Sequence, residues 1–563
     1  MRYTIFKSSA FSASVQSMGF IVGGIALTFH FSSISAQEAG QNLVETVQEV
    51  GIETESKASI AVDSSKIARA IKDRQKYTGR QLFEHTWESS NNPPENPPAV
   101  HKASLRERFR DNAKVFDVAN GDGLGPLYNA KSCIECHVSG GGSDVKHNVI
   151  LLTLDPRVRP QGDHDKFAAR LRQVFPGFIA PGGVLVYNTI VHNFSTRPGY
   201  DEIRDRLATH VDGGIESEWF APDQRTSNAI ARQPVIAGRF LDIDFYLSQR
   251  NSPPLFGLGL IDRIAPQQLA ILAERQASKS GGKITGRVAG KFGWQGQSSS
   301  LSLFVESACA GELGLNQESL AQTPDHADHT YVNPSLDMWP GEALKISSYI
   351  STMPRPLEAK SDLEKNQHVR DGEKIFNSVG CVACHVADVR PATGIFSDLL
   401  LHDMGERLQG PSPPSIGFSA SSTFTPARLT IGNAPRDEIG TSSSGYYNSG
   451  GFGNVLPEPY ASSRPDKPQF PRVQANPSVM EFSSSNATSW DALQREWKTP
   501  PLWGVRDTGP YLHDGRANTI EEAIQWHGGE SEDSRVAFTS LSRHDKDLVV
   551  SFLNSLQLPR LSD

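Results

Sequence analysis

Cysteine is scarce in this chain. Five in 563 residues cannot staple a protein of this length, so its core has to come from apolar packing rather than a disulfide framework. Charge is modest as well, at 21% of residues, and acids outnumber bases by 63 to 55 for a net charge of −8. That balance leaves no basic footprint, so no nucleic acid is expected as a partner. Long apolar runs are missing too. The longest, from Met18 to Phe31, falls short of the roughly 20 residues that a spanning helix needs. There is no internal repeat of a length that would indicate a solenoid. Glycine (48) and proline (36) are plentiful, and they predict long irregular stretches between packed elements. At roughly 100–200 residues per domain, the length fits two to four domains.

The first 36 residues read as an address. Arg2 and Lys7 precede the apolar run, no acid occurs before it, and small residues lead to Ser35-Ala36, a signal-peptidase site. The expectation is a signal peptide over 1–36, export to the periplasm or cell envelope, and no membrane span after cleavage. Residues 37–98 read as a polar and Pro-rich linker that ends in the run Asn91-Asn-Pro-Pro-Glu-Asn-Pro-Pro98. An N-terminal unit is expected over 99–341 and a C-terminal unit over 342–563. The second is interrupted over 409–489 by a Ser/Gly/Pro/Asn-rich stretch that reads as an irregular surface insertion.

Four of the five cysteines lie in two Cys-x-x-Cys-His motifs, Cys133-Ile-Glu-Cys136-His137 and Cys381-Val-Ala-Cys384-His385. Two thiols at this spacing form thioethers with the vinyl groups of one haem, and the adjacent imidazole reaches its iron. A zinc knuckle needs further ligands nearby, and a redox dithiol needs no following histidine. The motifs therefore predict two covalently bound haem c groups, with His137 and His385 as iron ligands.

Each haem has a sixth position to explain. Thr519-Ile-Glu-Glu522 is a capping box that opens a helix, and Ile520, Ala523, Ile524 and His527 share its apolar face. Gly528-Gly529 stops that helix, which leaves His527 on the core side, well placed to face the second haem. Met404 and Met353 compete for the role but suit gap-filling better. At the first haem, His147 and His164 both remain candidates. A further helix is predicted after Ser542, carrying Leu548, Val549, Phe552, Leu553 and Leu556 on one face.

Several stretches give the chain a family likeness. They are Gly121-Asp-Gly-Leu-Gly-Pro-Leu-Tyr-Asn-Ala-Lys-Ser-Cys133, Pro254-Leu-Phe-Gly-Leu-Gly-Leu-Ile, Gly290-Lys-Phe-Gly-Trp294, Ser397-Asp-Leu-Leu-Leu-His402-Asp-Met-Gly405 and residues 499–530. With them the chain resembles the di-haem oxidoreductases, relatives of bacterial di-haem cytochrome c peroxidases and of the tryptophan tryptophylquinone maturase. In those peroxidases the residue fourteen after the His of a His-Asp-Gly motif binds the second iron. Counted from His513, that residue is His527. The resemblance thus implies His385/His527 ligation, a low-potential haem and an electron-relay role for it.

The likeness also implies that Trp294 carries electrons between the haems. Where the peroxidases place a distal Gln ten residues after this Trp, the chain has Phe304; the nearest acid to their distal Glu is Glu312. A carboxyl group can shuttle the proton that peroxide cleavage needs, and Phe cannot. An apolar pocket instead suits oxygen activation, as in related di-haem rubber oxygenases. Thr508 and Pro510 match positions whose carbonyls bind Ca²⁺ in the relatives, although a plain turn explains them equally well. His402, His513, Arg506 and Arg516 are candidate haem-propionate or hydrogen-bonding contacts, and Cys309 reads as an inert buried thiol.

The resulting expectation is a mainly α protein with two cytochrome-c-like haem domains and long irregular insertions. It would be a di-haem peroxidase-like oxidoreductase fed by a small redox donor protein of cytochrome or cupredoxin type. Its oxidant would be a peroxide or an oxygen-derived species. The alternatives are a non-catalytic electron-transfer cytochrome, or oxidative modification of a protein or polymer.

Overall fold

In the computed structural model, the residues described are 77–89, 121–356, 366–411 and 493–558, less short gaps at 122, 156–157, 159–163, 181–183, 212, 329, 332, 334–335 and 340. The proposed leader, most of the 37–98 linker and nearly all of the 409–489 insertion lie outside them. All described residues fall within the unit Ser65–Asp563. None of the helices among them is long and apolar enough to cross a membrane.

Helix is the prevailing regular structure. In chain order the elements that matter for the site are α1 (Gly79–Glu84), α2 (Cys133–Cys136), β1 (Val149–Leu154), β2 (Asn188–Val191), β3 (Val235–Phe240) and β4 (Ile243–Arg250). They are followed by α3 (Pro266–Lys279), α4 (Leu301–Glu312), α5 (Glu342–Ser351), α6 (Gln367–Ser378), β5 (Leu401–Asp403) and β6 (Glu496–Lys498). Toward the C-terminus come α7 (Ile520–Trp526) and α8 (Arg543–Asn554), with a further helix, Glu532–Thr539, between them.

The mainly α expectation left out one feature. Strands β2-β1-β4-β3 form a four-stranded antiparallel sheet in that order. Every residue of β1 and β4 is buried. A strand covered on both faces shows no polar alternation, so its apolar run looks the same as a buried helix at the sequence level. Phe167, Phe175, Phe178, Trp219, Phe245 and Leu247 fill the core against this sheet. A second core joins α1, α4 and α5 through Leu82, Phe83, Leu301, Val305 and Ile346, and also takes in Ile395, Leu399 and Trp503.

The third core lies between α6 and α8, where Val369, Phe376, Val549, Phe552 and Leu553 interlock. Helices α7 and α8 start as their caps predict. Thr519 and Glu522 complete the capping box of α7, and Ser542 accepts from the Asp545 N–H at α8. Helices α6 and α8 meet at Gly372, where a Cβ would lie 2.0 Å from the Leu548 carbonyl oxygen. Strand β5 pairs with β6 across the 409–489 segment. The ends of that segment are pinned together: Gly410 N–H donates to the Gln494 carbonyl at 2.9 Å. The Pro411 carbonyl accepts from the hydroxyls of Thr153 in β1 and Ser248 in β4.

The close approach at Gly372 predicts that Gly372→Ala destabilises the protein by about 1–3 kcal/mol, the usual cost of forcing volume into a filled contact. Thermal unfolding measures it, and an unchanged Tm would contradict the approach described.

Candidate functional site

The second Cys-x-x-Cys-His motif is set by its backbone. Gly380 takes a left-handed conformation (φ +94°) after α6, and the chain then winds into a 3-10 turn, Cys381–Ala383. This turn aims both cysteines and His385 into a cavity of about 220 Å³. His527, the C-cap of α7, enters the cavity from another side. The two imidazole rings have centroids 6.5 Å apart. A metal bound to both through bonds of about 2 Å fits between rings at that separation. Each ring is also prepared for such a role. His385 Nδ1 lies 2.9 Å from the Phe396 carbonyl and His527 Nδ1 lies 2.8 Å from the Ala523 carbonyl, so each Nδ1 carries the proton. The Nε2 lone pairs are left for the cavity. Burial lowers both imidazoles below their ordinary value, His385 to about 4, so they are neutral at pH 7. Burial also pushes the Cys381 thiol up to about 12. Two thiols held protonated by burial are a poor zinc or redox site.

Other lining groups are polar. His402 has one ring nitrogen 2.9 Å from Asp398 and the other 2.6 Å from Glu530. Burial alone would depress this imidazole; the hydrogen bonds with Asp398, Cys384 and Glu530 outweigh it and hold its pKa well above 6.5. Ligand atoms of Cys384, Asp398 and His402 lie within 4.8 Å of one another. This trio could hold a metal only if Cys384 were free. Lys498 also lines the cavity, and burial brings its amine down to about 8 against the pull of Asp398. Met404 lines the same cavity, with its sulfur 3.9 Å from the Ser531 hydroxyl. Met353 instead lies by Gly140, beyond the first motif.

In the first motif, α2 carries Cys133 and Cys136 and ends at His137. The His137 Nδ1 lies 3.1 Å from the Gly141 carbonyl, and burial lowers its imidazole to about 4. Burial raises the Cys133 thiol to about 12. Of the candidate sixth ligands, His147 has its Nδ1 paired with Asp144 at 3.0 Å, and the side chain of His164 lies outside the described residues. Glu312 ends α4, and its main-chain carbonyl accepts from Asn129 N–H at 2.7 Å. Its carboxyl, raised by burial to about 7, accepts from the Asn129 amide at 2.6 Å. Phe304 sits four residues into α4 and stacks toward Phe292 inside the second core.

Trp294 lines the large cavity and donates its indole N–H to the Asn251 carbonyl at 2.7 Å. Residues 251–254 line that cavity too, yet Ser252 accepts from Ser143 N–H and Leu255 donates to the Gly140 carbonyl. The same short segment therefore touches the loop behind His137 and the wall facing His385. Thr508 and Pro510 also line the cavity. Arg516 is buried and bound to Asp514 at 2.6 Å, and Arg506 lies 3.6 Å from Asp507, so each guanidinium already has an acid beside it. Cys309 is buried with its thiol pushed far up, the inert state expected.

Sequence reasoning did not find the Asp398–His402–Glu530 triad, Lys498, or Asn129. The i,i+4 spacing of Asp398 and His402 was a readable signal. Glu530 and Asn129 join through contacts more than a hundred residues apart in sequence, which no local pattern reveals.

Residues 481–556 match the family model described as "Di-haem oxidoreductase, putative peroxidase". A comparison with curated proteins finds no match. Among solved structures, the chain is similar to a hydrazine synthase of Kuenenia stuttgartiensis, at 18% identity and TM-score 0.24, covering 55% of this chain and 73% of that one. It is also similar to a MauG-like protein associated with microbial copper homeostasis, at 13% identity and TM-score 0.20, covering 39% of this chain and 57% of that one.

The His402 geometry has a pH signature. A group whose pKa is raised by folding adds stability that is complete below its unfolded value and is lost as pH rises through the folded one. Tm should therefore fall from neutral to alkaline pH, and His402→Gln should remove that step. An identical alkaline fall in both proteins would rule the assignment out.

Proposed function

With residues 481–556 in the di-haem oxidoreductase family, we propose that this oxidoreductase is an exported c-type cytochrome that reduces a peroxide, or activates oxygen, at its N-terminal haem. The observation that carries the reading is the facing pair His385/His527 in one cavity with Cys381 and Cys384. Haem, when bound, supplies one-electron chemistry and, where a coordination position is open, a Lewis-acidic site for an oxygen atom of the substrate.

The chain's own residues take the remaining roles. Cys133 and Cys136 would hold one haem through thioethers and Cys381 and Cys384 the other, in two cytochrome-c-like domains. His137 would bind the N-terminal iron, while His385 and His527 would both bind the C-terminal one, which would suit it to relay electrons rather than to take substrate. Electrons from a small cytochrome or cupredoxin would enter there, and Val382, part-exposed inside the motif, gives that edge an apolar contact. Trp294, at the segment shared by both motifs, suits the path between them. Glu312, with a pKa of about 7, can take a proton from the proximal oxygen of a peroxide and return one to the leaving oxygen. The leader pattern supports export, since thioether attachment in bacteria occurs outside the cytoplasm. The carbonyls of Thr508 and Pro510 are the proposed ligands of an accessory Ca²⁺.

Optical and EPR spectra of the purified ferric protein, before and after peroxide, test this reading. One high-spin and one low-spin haem, with peroxide consuming only the high-spin signal, supports it. Two low-spin haems indifferent to peroxide would make the protein an electron carrier. Glu312→Gln should lower peroxide turnover by about 10²–10⁴-fold while leaving haem content and both resting spectra as they are.

A further inference from the structure

Glu312 is held by a chain of buried groups that the reading above does not use. Asn129 is 3% exposed, and its Nδ2 donates to Glu312 Oε2 at 2.6 Å. The amide cannot turn over, because its Oδ1 accepts from the Asn193 main-chain N–H at 2.8 Å. Asn193 is itself 4% exposed, and its side-chain oxygen accepts from Arg225 Nη2 at 3.1 Å. Arg225 is 2% exposed, and among the described residues no carboxylate is bound to it. Its other donors go to the carbonyls of Trp219, Phe220, Val145, Lys146 and Asn148. A guanidinium committed to five carbonyls across two loops is fixed in place, and breaking any link leaves a buried polar group unpaired. Among the described residues no donor reaches Glu312 Oε1.

We propose that Asn129 is the positioning residue of the Glu312 carboxyl: locked by Asn193 and Arg225, its amide holds Oε2 and leaves Oε1 as the single oxygen presented for proton exchange. This rests on the reading of Glu312 as the proton-exchanging group. The groups around the carboxyl are few. Burial raises it and the Asn129 bond opposes that rise. Cys136 is an uncharged sulfur nearby, as a thiol or as a thioether, Cys309 lies buried in the same helix, and His192, bonded through Nε2 to the Gly311 carbonyl, is held neutral by burial. Among the described residues, Asn129 is therefore the neighbour that favours the ionised form.

The test is a pH titration of the Glu312 carboxyl band by infrared difference spectroscopy on the holoprotein, the band being assigned by its loss in Glu312→Gln. Asn129→Leu should move the midpoint up by about one pH unit and broaden the band, as a favourable hydrogen bond to the anion is lost. Asn129→Asp keeps the size and the oxygen that accepts from Asn193 but sets an acid against Glu312, so its midpoint should rise further. It decides the matter if the leucine variant does not fold. The pH profile of peroxide turnover should shift in the same direction in both variants. Midpoints and band widths unchanged from wild type would overturn the proposal whatever the activity. Midpoints that move while the turnover profile stays still would uphold the positioning by Asn129 and instead overturn the role given to Glu312.

Discussion

Three imidazoles, those of His137, His385 and His527, each set Nδ1 against a main-chain carbonyl, and most of the site follows from that arrangement. The bond fixes the tautomer and the ring plane together, and at His385 and His527 it leaves the Nε2 lone pair for the cavity. It also makes burial tolerable, since a neutral ring with one satisfied nitrogen costs little to remove from water. The carbonyls come from positions whose backbone is itself constrained: Gly141 after the tight turn at 138–140, Phe396 in a left-handed conformation (φ +45°), and Ala523 in the last turn of a capped helix. Glycines, caps and turns that look unrelated in sequence thus serve one purpose, the aim of three nitrogen atoms.

Electrostatics around the cavity is uneven. One wall carries the Asp398–His402–Glu530 triad with Lys498 near it, and another carries a stack in which His513 lies flat on Trp497 at 3.5 Å, with the Arg250 guanidinium 4.8 Å from the same indole ring. Burial and the two guanidiniums of Arg516 and Arg250 keep His513 neutral, in contrast to His402. Two histidines that each precede an aspartate in sequence thus end in opposite charge states. The difference comes from their neighbours: two carboxylates in one case, two arginines in the other.

That contrast marks the limit of what sequence alone reveals. The Cys-x-x-Cys-His spacings, the Thr519 capping box and the helix after Ser542 are all local, and the structure forms the box and the helix as read; α7 ends at Trp526, so His527 is its C-cap rather than a member of its apolar face. The buried sheet was missed because Val149–Leu154 has no polar beat, and Ile243–Arg250 is buried at every position, polar residues included. Asn129, Glu530 and Asn251 gain their roles from partners 183, 128 and 43 positions away, so their importance exists only once the chain has folded. Phe304 is a different case, since a departure from the family pattern was visible and its placement in the second core gives it a packing role.

The pinned ends of the 409–489 segment bear on how this molecule can change in length. Gly410 and Gln494 are hydrogen-bonded to each other, Pro411 is tied to two strands of the sheet, and β5 and β6 pair just outside that clasp. Entry and exit are therefore one point, fixed by Gly410 and Gln494 whatever number of residues separates them. For a flexible chain, doubling the length between two joined ends costs only about 0.6 kcal/mol more, so a clasp of this kind tolerates a change in length. The clasp makes this position a socket, at which the protein can acquire or lose sequence while the pairing of β5 with β6 stays as it is.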